Sequence, residues 1–172
     1  MRKGISILVF LFIITGGFHA LSQTKIGHVN TELITKDLPE YKQMLVKIQD
    51  EQNRAQKEMM KLDSAYKTIA LKLNQPTISE FEKIELEHEM QKLEKLAQTR
   101  PQELEENIYQ LQQKLQMIII EKVKKAIKEV GDEGGYTYVM DDTVMYYING
   151  GNDLTNAVRQ KLGLPPVSDK TN

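Results

Sequence analysis

The chain has 172 residues, with 23 basic and 24 acidic side chains and a formal net charge of −1. So weak a charge argues against nucleic acid as the main partner. The absence of cysteine excludes disulfides, thiolate metal sites and cysteine nucleophiles, and the low aromatic content of 6% predicts a small globular core.

The first 22 residues have the pattern of a secretory signal peptide. Arg2 and Lys3 precede an apolar run over 5–14, and Ala20-Leu21-Ser22 supplies small residues at a cleavage site. The run has about ten residues, whereas a membrane span needs about 20, so an uncleaved anchor is the less favoured alternative. Cleavage would leave Gln23 first, with 21 basic and 24 acidic residues and a net charge of −3. We expect export to the periplasm.

A short strand and a short helix are predicted next. The segment Lys25–Asn30 alternates apolar and polar residues, which is typical of a strand. Asn30 or Thr31 can then cap a helix that ends before Pro39.

A long helix is predicted from Pro39 to about Asn74. Proline suits the first helical position, where no backbone donor is required. Apolar or tolerated residues recur in alternating steps of three and four, which is the pattern of a coiled coil. They are Leu38, Tyr41, Leu45, Ile48, Gln52, Ala55, Met59, Leu62, Tyr66, Ile69 and Leu73.

The next four residues, Asn74, Gln75, Pro76 and Thr77, predict the tip of a hairpin. The residue before proline is disfavoured in a helix, and Thr77 with Glu80 has the spacing of a capping box. So short a turn favours an antiparallel return.

The second helix is predicted over about 78–130. At 1.5 Å per residue, the two helices would be roughly 50 and 80 Å long. Its apolar stripe comprises Leu86, Met90, Leu93, Ala97, Leu104, Ile108, Leu111, Leu115, Ile118 and Ile119.

Pro101 interrupts this helix where the stripe changes period. A proline inside a helix removes a hydrogen bond, and two successive four-residue steps unwind a supercoil locally. We interpret the position as a kink at which the pair of helices could open. The alternative is that Pro101 begins a separate helix.

Strand-like sequence follows the second helix. Gly131, Gly134 and Gly135 are expected to stop the helix. The runs 136–140 and 143–148 then predict a β-hairpin around Asp141-Asp142, which we interpret as turn residues. A last helix should start at Asp153 or Thr155 and end before Gly163.

The predicted fold is mostly α with a small β body. A long antiparallel coiled-coil hairpin, the arm of residues 39–130, would be inserted in a small α+β body of residues 23–38 and 131–172. A body this small buries little surface and leaves strand edges open, so we expect copies to pair through it as a homo-oligomer. Its pairing residues would be Ile26, Val29, Tyr136, Tyr138, Met140, Val144, Tyr146 and Ile148.

No catalytic or metal-binding pattern stands out, so we predict no enzyme activity, no cofactor and no metal. His88 lies among Glu85, Glu87 and Glu89, but such a cluster on a charged helix is usually a solvated face. Flexible, polarizable methionines are suited to weak contact with unfolded chains. The expected contacts are Met44, Met60, Met90 and Met117. Met44 and Met60 lie off the stripe and should be exposed, whereas Met59 and Met90 should fill the seam.

Five segments occur in a fixed order around the two long helices: Lys25-Ile-Gly-His-Val-Asn30, Gly135-Tyr-Thr-Tyr-Val-Met-Asp141, Val144-Met-Tyr-Tyr-Ile148, Asp153-Leu-Thr155 and Leu162-Gly163. Through them the whole predicted mature chain resembles the Skp/OmpH family of periplasmic chaperones. The resemblance implies a jellyfish-like homotrimer whose arms hold unfolded outer-membrane proteins without ATP. One alternative function is a structural or adaptor coiled coil of the cell envelope. Another is the hairpin of an efflux adaptor, for which the flanking segments are too short.

The charge of the arm departs from the family. Family members often have basic arm tips that suit anionic lipid or lipopolysaccharide. Here residues 77–107 carry nine acidic and four basic side chains, a net charge of −5. Residues 39–74 carry seven basic and five acidic side chains, a net charge of +2. We therefore do not carry a lipopolysaccharide site onto this chain.

Overall fold

A computed structural model describes residues 24–167 of the chain. The predicted signal peptide lies outside the described residues. Two long helices dominate the part that is described, and none of its helices is both long and apolar enough to cross a membrane. The elements in chain order are β1 (Ile26–Val29), α1 (Thr31–Asp37), α2 (Pro39–Leu73), α3 (Glu80–Gly134), β2 (Tyr138–Asp141), a 3₁₀ turn (Asp142–Val144), β3 (Asn152–Asp153) and α4 (Thr155–Lys161).

The boundaries of α1 and the start of α2 are set by the capping residue and the proline that the sequence indicates. Of the two candidate caps for α1, Asn30 is the one used, since its side-chain oxygen accepts from the Leu33 N–H at 2.8 Å. Leu38 is extended, with φ −61° and ψ 132°, as the residue before a proline prefers. Pro39 then opens α2, so both predicted boundaries are confirmed.

Helices α2 and α3 contact each other along most of α2. With 35 and 55 residues they are about 52 and 82 Å long. The residue numbers of the partners on α3 fall as those on α2 rise, which is the order of two helices running in opposite directions. The contacts that show this are Glu40 with Lys122, Glu58 with Arg100, and Tyr66 with Glu94.

Both ends of α3 differ from the prediction. The expected cap at Thr77 is wrong, because α3 begins at Glu80 and the Ser79 hydroxyl accepts from the Glu82 N–H at 3.2 Å. The helix continues past Gly131, which is buried against the side chain of Val139. Gly135 ends it, in the left-handed conformation with φ +65° that glycine adopts without strain.

The predicted β-hairpin is wrong. Instead, β2 pairs in parallel with β1, from Ile26 opposite Tyr138 to Val29 opposite Asp141, and β3 pairs in parallel with the other edge of β1. The Asp141 side chain accepts from the Thr143 N–H at 3.1 Å, which folds the chain into the 3₁₀ turn and keeps it from reversing beside β2. Residues 145–149 therefore have no strand partner in the described chain.

The core lies where the end of α3 meets the sheet, α1 and α4. It continues the apolar stripe of α3 beyond Ile119, through Val123, Ala126 and Val130, in steps of four, three and four. The other buried apolar members are Val29, Ile34, Leu38, Met44, Leu154, Val158 and Leu164. This core joins the two ends of the described chain into one unit.

Arg159 of α4 is enclosed in the same region, with only 1% of its surface exposed. Its guanidinium donates to the Leu33 carbonyl at 2.8 Å, to the Pro165 carbonyl at 2.7 Å and to the Asp37 carboxylate at 2.6 Å. One side chain thus ties α1, α4 and the C-terminal segment together.

Candidate functional site

Exposed apolar side chains run along both long helices. Met60 and Met117 are each 64% exposed, and Phe81 near the tip is 73% exposed. A chain that exposes this many apolar side chains along two long helices is suited to contact with other apolar chains. The exposed apolar residues of α2 and α3 are Leu45, Val46, Met60, Tyr66, Leu71, Phe81, Ile84, Leu96, Tyr109, Met117, Ile118 and Ile120.

The structure separates the four methionines chosen from the sequence. The expected exposure of Met44 is wrong, because its side chain is only 8% exposed and belongs to the core with Ile34 and Leu38. Met44 belongs to the same core as Ile119 of α3, whereas Leu45, which the predicted stripe included, is 51% exposed. The predicted stripe is therefore wrong by one residue at this end of α2. Met60 and Met117 are exposed, and Met90 is half-buried.

A groove opens between α2 and α3 in the middle of their length. It has a volume of about 430 Å³. Met59, Leu62 and Leu93 give it apolar walls, and Ala97 leaves room where a larger side chain would close the seam. At its edge the Tyr66 hydroxyl donates to the Glu94 carboxylate at 3.3 Å. The groove can therefore take an apolar side chain.

Helix α3 passes through Pro101 without interruption. The alternative of a separate helix beginning there is wrong, while the kink remains a prediction. Arg100 donates to Glu58 of α2 at 2.6 Å and to Glu103 at 2.9 Å, so it links the two helices beside the proline. The hydrogen bond from Arg100 lowers the pKa of the Glu58 carboxyl.

The turn between the helices covers residues 74–79 and includes the four predicted tip residues. Asn74 ends α2, and its side chain donates to the Ala70 carbonyl at 2.9 Å. Gln75, Pro76 and Thr77 are exposed.

The expected pairing residues of the body fall into two groups. Val29 is buried in the core, and Tyr136 packs against the core and accepts a hydrogen bond from Asn152 at 2.8 Å. The other six form an exposed set around β2 and the unpaired segment: Ile26, Tyr138, Met140, Val144, Tyr146 and Ile148. Tyr146 is fully exposed, and its neighbour Tyr147 largely so. An apolar, unpaired segment of this kind favours pairing with another chain.

A model of the family described as "Outer membrane protein (OmpH-like)" matches residues 25–162. The chain belongs to the OmpH-like family. The matched range includes both long helices, the sheet and the whole of α4. The resemblance found in the sequence is therefore confirmed.

Two relatives of this OmpH-like chain carry the name Chaperone protein Skp. The protein from Yersinia enterocolitica is 24% identical over 145 residues, which cover 83% of this chain and 88% of the relative. The protein from Vibrio cholerae serotype O1 is 25% identical over 136 residues, which cover 78% and 80%. The OmpH-like chain thus belongs to a family of chaperones and is not an enzyme, as the sequence predicts.

A polar cluster surrounds the 3₁₀ turn of this OmpH-like chain. Its charged or titratable members are Asp141, Asp142 and His28. Burial raises the pKa of Asp141, but hydrogen bonds donated by Thr31 and Thr143 outweigh it and leave that pKa below its ordinary value. For Asp142 burial dominates and raises the pKa, with Nδ1 of His28 3.8 Å from its carboxylate. Asp141 and Asp142 are predicted to be turn residues, and Asp141 does cap the 3₁₀ turn. Its carboxylate also accepts a hydrogen bond from Thr31 and so joins β2 to α1.

Replacing Asp141 with asparagine should lower the free energy of unfolding by about 1 kcal/mol at pH 7, because charge-assisted hydrogen bonds are lost. Since its folded pKa lies below the unfolded value of about 3.9, this stabilisation is present above that pH and disappears as the pH falls through the folded pKa. Urea unfolding of both proteins at neutral pH and near pH 3 measures the change.

The neighbouring Asp142→Asn variant is the control. Its raised folded pKa means that the carboxylate opposes folding at neutral pH, so this variant should match or exceed the wild type in stability there. Equal losses in the two variants at pH 7 would contradict the assignment.

Proposed function

We propose that this chain is an ATP-independent holding chaperone of the periplasm, which binds unfolded outer-membrane proteins and prevents their aggregation. The observation that carries the proposal is the set of exposed apolar side chains distributed along α2 and α3 in a chain of the OmpH-like family. Client segments in unfolded chains expose apolar surface, and contact with these side chains removes that surface from water.

Binding is weak at each point and spread over the arm. Met60 and Met117 offer flexible exposed thioethers, and Met90 lies half-buried at the seam. Such contacts have no fixed direction, so clients of different sequence can be held. The mid-arm groove adds one place where a client side chain enters between the helices.

Residues 39–130 form an antiparallel coiled-coil arm, and residues 23–38 with 131–172 form the oligomerisation body. Pairing of the exposed set around β2 and residues 143–148 with neighbouring copies would give a homotrimer shaped like a jellyfish. The exposure of Tyr138, Val144 and Tyr146 supports this assembly. The chain reaches the periplasm after removal of residues 1–22. We assign no lipopolysaccharide site, because the tip is acidic.

Dilution of a urea-unfolded outer-membrane β-barrel into buffer tests the function. With the mature chain present and no ATP, light scattering should stay near the level of a soluble protein. Scattering equal to that of buffer alone would refute the holding function. A structural or adaptor coiled coil, the alternative function, would instead bind a defined folded partner and leave aggregation unchanged.

Filling the mid-arm groove should weaken client binding without weakening the arm. Ala97→Leu places a larger apolar side chain beside Met59, Leu62 and Leu93, so the arm should keep or gain thermal stability. We expect the Kd for an unfolded client to rise by about threefold, because only one of many apolar contacts is lost. Fluorescence titration with a labelled client measures it.

Thr99→Leu is the matched control, because it adds a leucine to an exposed position of the same helix that does not line the groove. Client affinity should be unchanged or slightly higher in this variant. Unchanged affinity in Ala97→Leu would show that clients do not use the groove.

A further inference from the structure

Helix α3 carries opposite charge near its two ends. The acidic tip, which we define as residues 80–89, has five glutamates and one lysine and a net charge of −4. The basic base, which we define as residues 114–128, has five lysines and one glutamate and a net charge of +4. The two segments thus match in magnitude and are opposite in sign.

The glutamates of the acidic tip are available to a partner. Within residues 24–167, no ion pair involves Glu80, Glu82, Glu85, Glu87 or Glu89. Phe81 and Ile84 are exposed among them. The surface therefore combines unneutralised negative charge with apolar area.

The basic base has one buried face and one open face. Ile119, Val123 and Ala126 pack into the core, while Met117 and Ile118 are exposed. Lys114, Lys124, Lys125 and Lys128 are also exposed. In the described chain Lys114 and Lys125 form no ion pair, and Lys124 reaches Glu121 only at 3.6 Å. Lys128 pairs with Asp132 at 2.5 Å, and Lys122 pairs with Glu40 of α2. This open face carries positive charge and apolar area together.

The two surfaces cannot meet within one chain. Their centres are about 55 Å apart on one continuous helix. Two α3 helices laid side by side in opposite directions would bring each acidic tip onto the basic base of the other. Both contacts would form at once around a two-fold axis, and this closed, symmetric arrangement is common among homo-oligomers.

We propose that the acidic tip of one copy docks on the basic base of a second copy, so that the arms of two assemblies associate in opposite directions. This interaction goes beyond the holding function and does not depend on it. Exposed ion pairs are individually weak and are screened by salt, so the association is reversible and depends on several pairs acting together. The exposed apolar residues of both segments add contact area.

Substitution of charged residues tests the proposal on the mature chain. The tip variant carries Glu85→Lys and Glu87→Lys, and the base variant carries Lys124→Glu and Lys125→Glu. Each pair of changes brings the net charge of its segment to zero. In low salt, sedimentation velocity of the wild type should show a larger species that grows with protein concentration. Its association constant should fall about tenfold or more in 0.5 M salt and in each variant alone.

Mixing the two variants is the decisive measurement. In the mixture the unchanged tip of one variant faces the unchanged base of the other, while the two neutralised segments face each other without net repulsion, so association should return in part. The control variant Glu105→Lys with Glu106→Lys has the same charge change near the middle of α3 and should associate like the wild type. Circular dichroism checks that every variant keeps its helix content.

Three results would overturn the proposal: no concentration-dependent species in the low-salt wild type, no loss in the tip and base variants, or no recovery in the mixture. If the tip variant loses client binding but keeps self-association, the acidic tip serves clients instead, and the proposal is again wrong. Because client holding is measured separately by light scattering, failure here leaves the proposed function intact.

Discussion

Replacing Arg159 with methionine is expected to lower the free energy of unfolding by about 3 kcal/mol. The guanidinium is 1% exposed and donates to the Leu33 and Pro165 carbonyls and to Asp37. Methionine fills much of the space but donates nothing, so these acceptors lose their partner in a region that water enters poorly. Urea unfolding followed by circular dichroism at a fixed protein concentration measures the loss.

Two further variants test whether the loss of stability comes from the hydrogen bonds of the buried guanidinium or from removal of an arginine in general. Arg159→Lys keeps the charge but supplies one compact ammonium in place of a planar fork, so it should recover only part of the stability. Arg54→Met removes an exposed arginine whose nearest carboxylate is Glu51 at 3.4 Å, and should change stability by less than about 0.5 kcal/mol. Equal stability of Arg159→Met and the wild type would show that the three hydrogen bonds contribute nothing net.

Replacing Ile34 with alanine is expected to cost about 3 kcal/mol of unfolding free energy. Its side chain has 0% exposure and lies in the core with Leu38, Met44 and Val158. Truncation leaves a cavity that the surrounding helices cannot fill without moving. The same urea experiment measures the effect, and the slope of the transition should be unchanged if only stability has altered.

Leu33→Ala is the matched control, one position away on the same short helix. Leu33 is 45% exposed, so its truncation removes less buried surface and should cost about 1 kcal/mol or less. If both variants lost the same amount of unfolding free energy, Ile34 would not be the buried member of this helix, and the core described above would be wrong. Because Ile34 and Leu33 share a helix, a general effect on helix propensity would appear in both.

The path of the chain through the arm could be predicted from the sequence, because its signals are local and repeated. The three-and-four spacing, Pro39 as a helix start and the turn at 74–77 all concern residues within a few positions of one another. Helix α3 ends four residues later than predicted, because Gly131 stays helical against Val139 and only Gly135 takes the left-handed conformation.

The architecture of the body could not be predicted in the same way. A strand shows the same alternation of apolar and polar residues whether it pairs with the next strand in a hairpin or with a distant strand in parallel. The sequence of β2 therefore did not identify its partner. That partner, β1, is more than 100 residues earlier in the chain, and the choice depends on how α3 returns the chain to it. The cap formed by Asp141 then directs residues 143–148 away from β2.

The sequence by itself therefore determined the family, the two long helices and the short elements β1, α1, β2 and α4, since these follow from periodicity, capping and motif order. Only the tertiary structure decided which side chains are enclosed. Met44 lies off the predicted apolar stripe yet is buried in the core, and Arg159 is charged yet is nearly inaccessible. Burial at both positions depends on groups brought together from distant parts of the chain, such as Leu33 and Pro165 around Arg159, and no local pattern records that proximity.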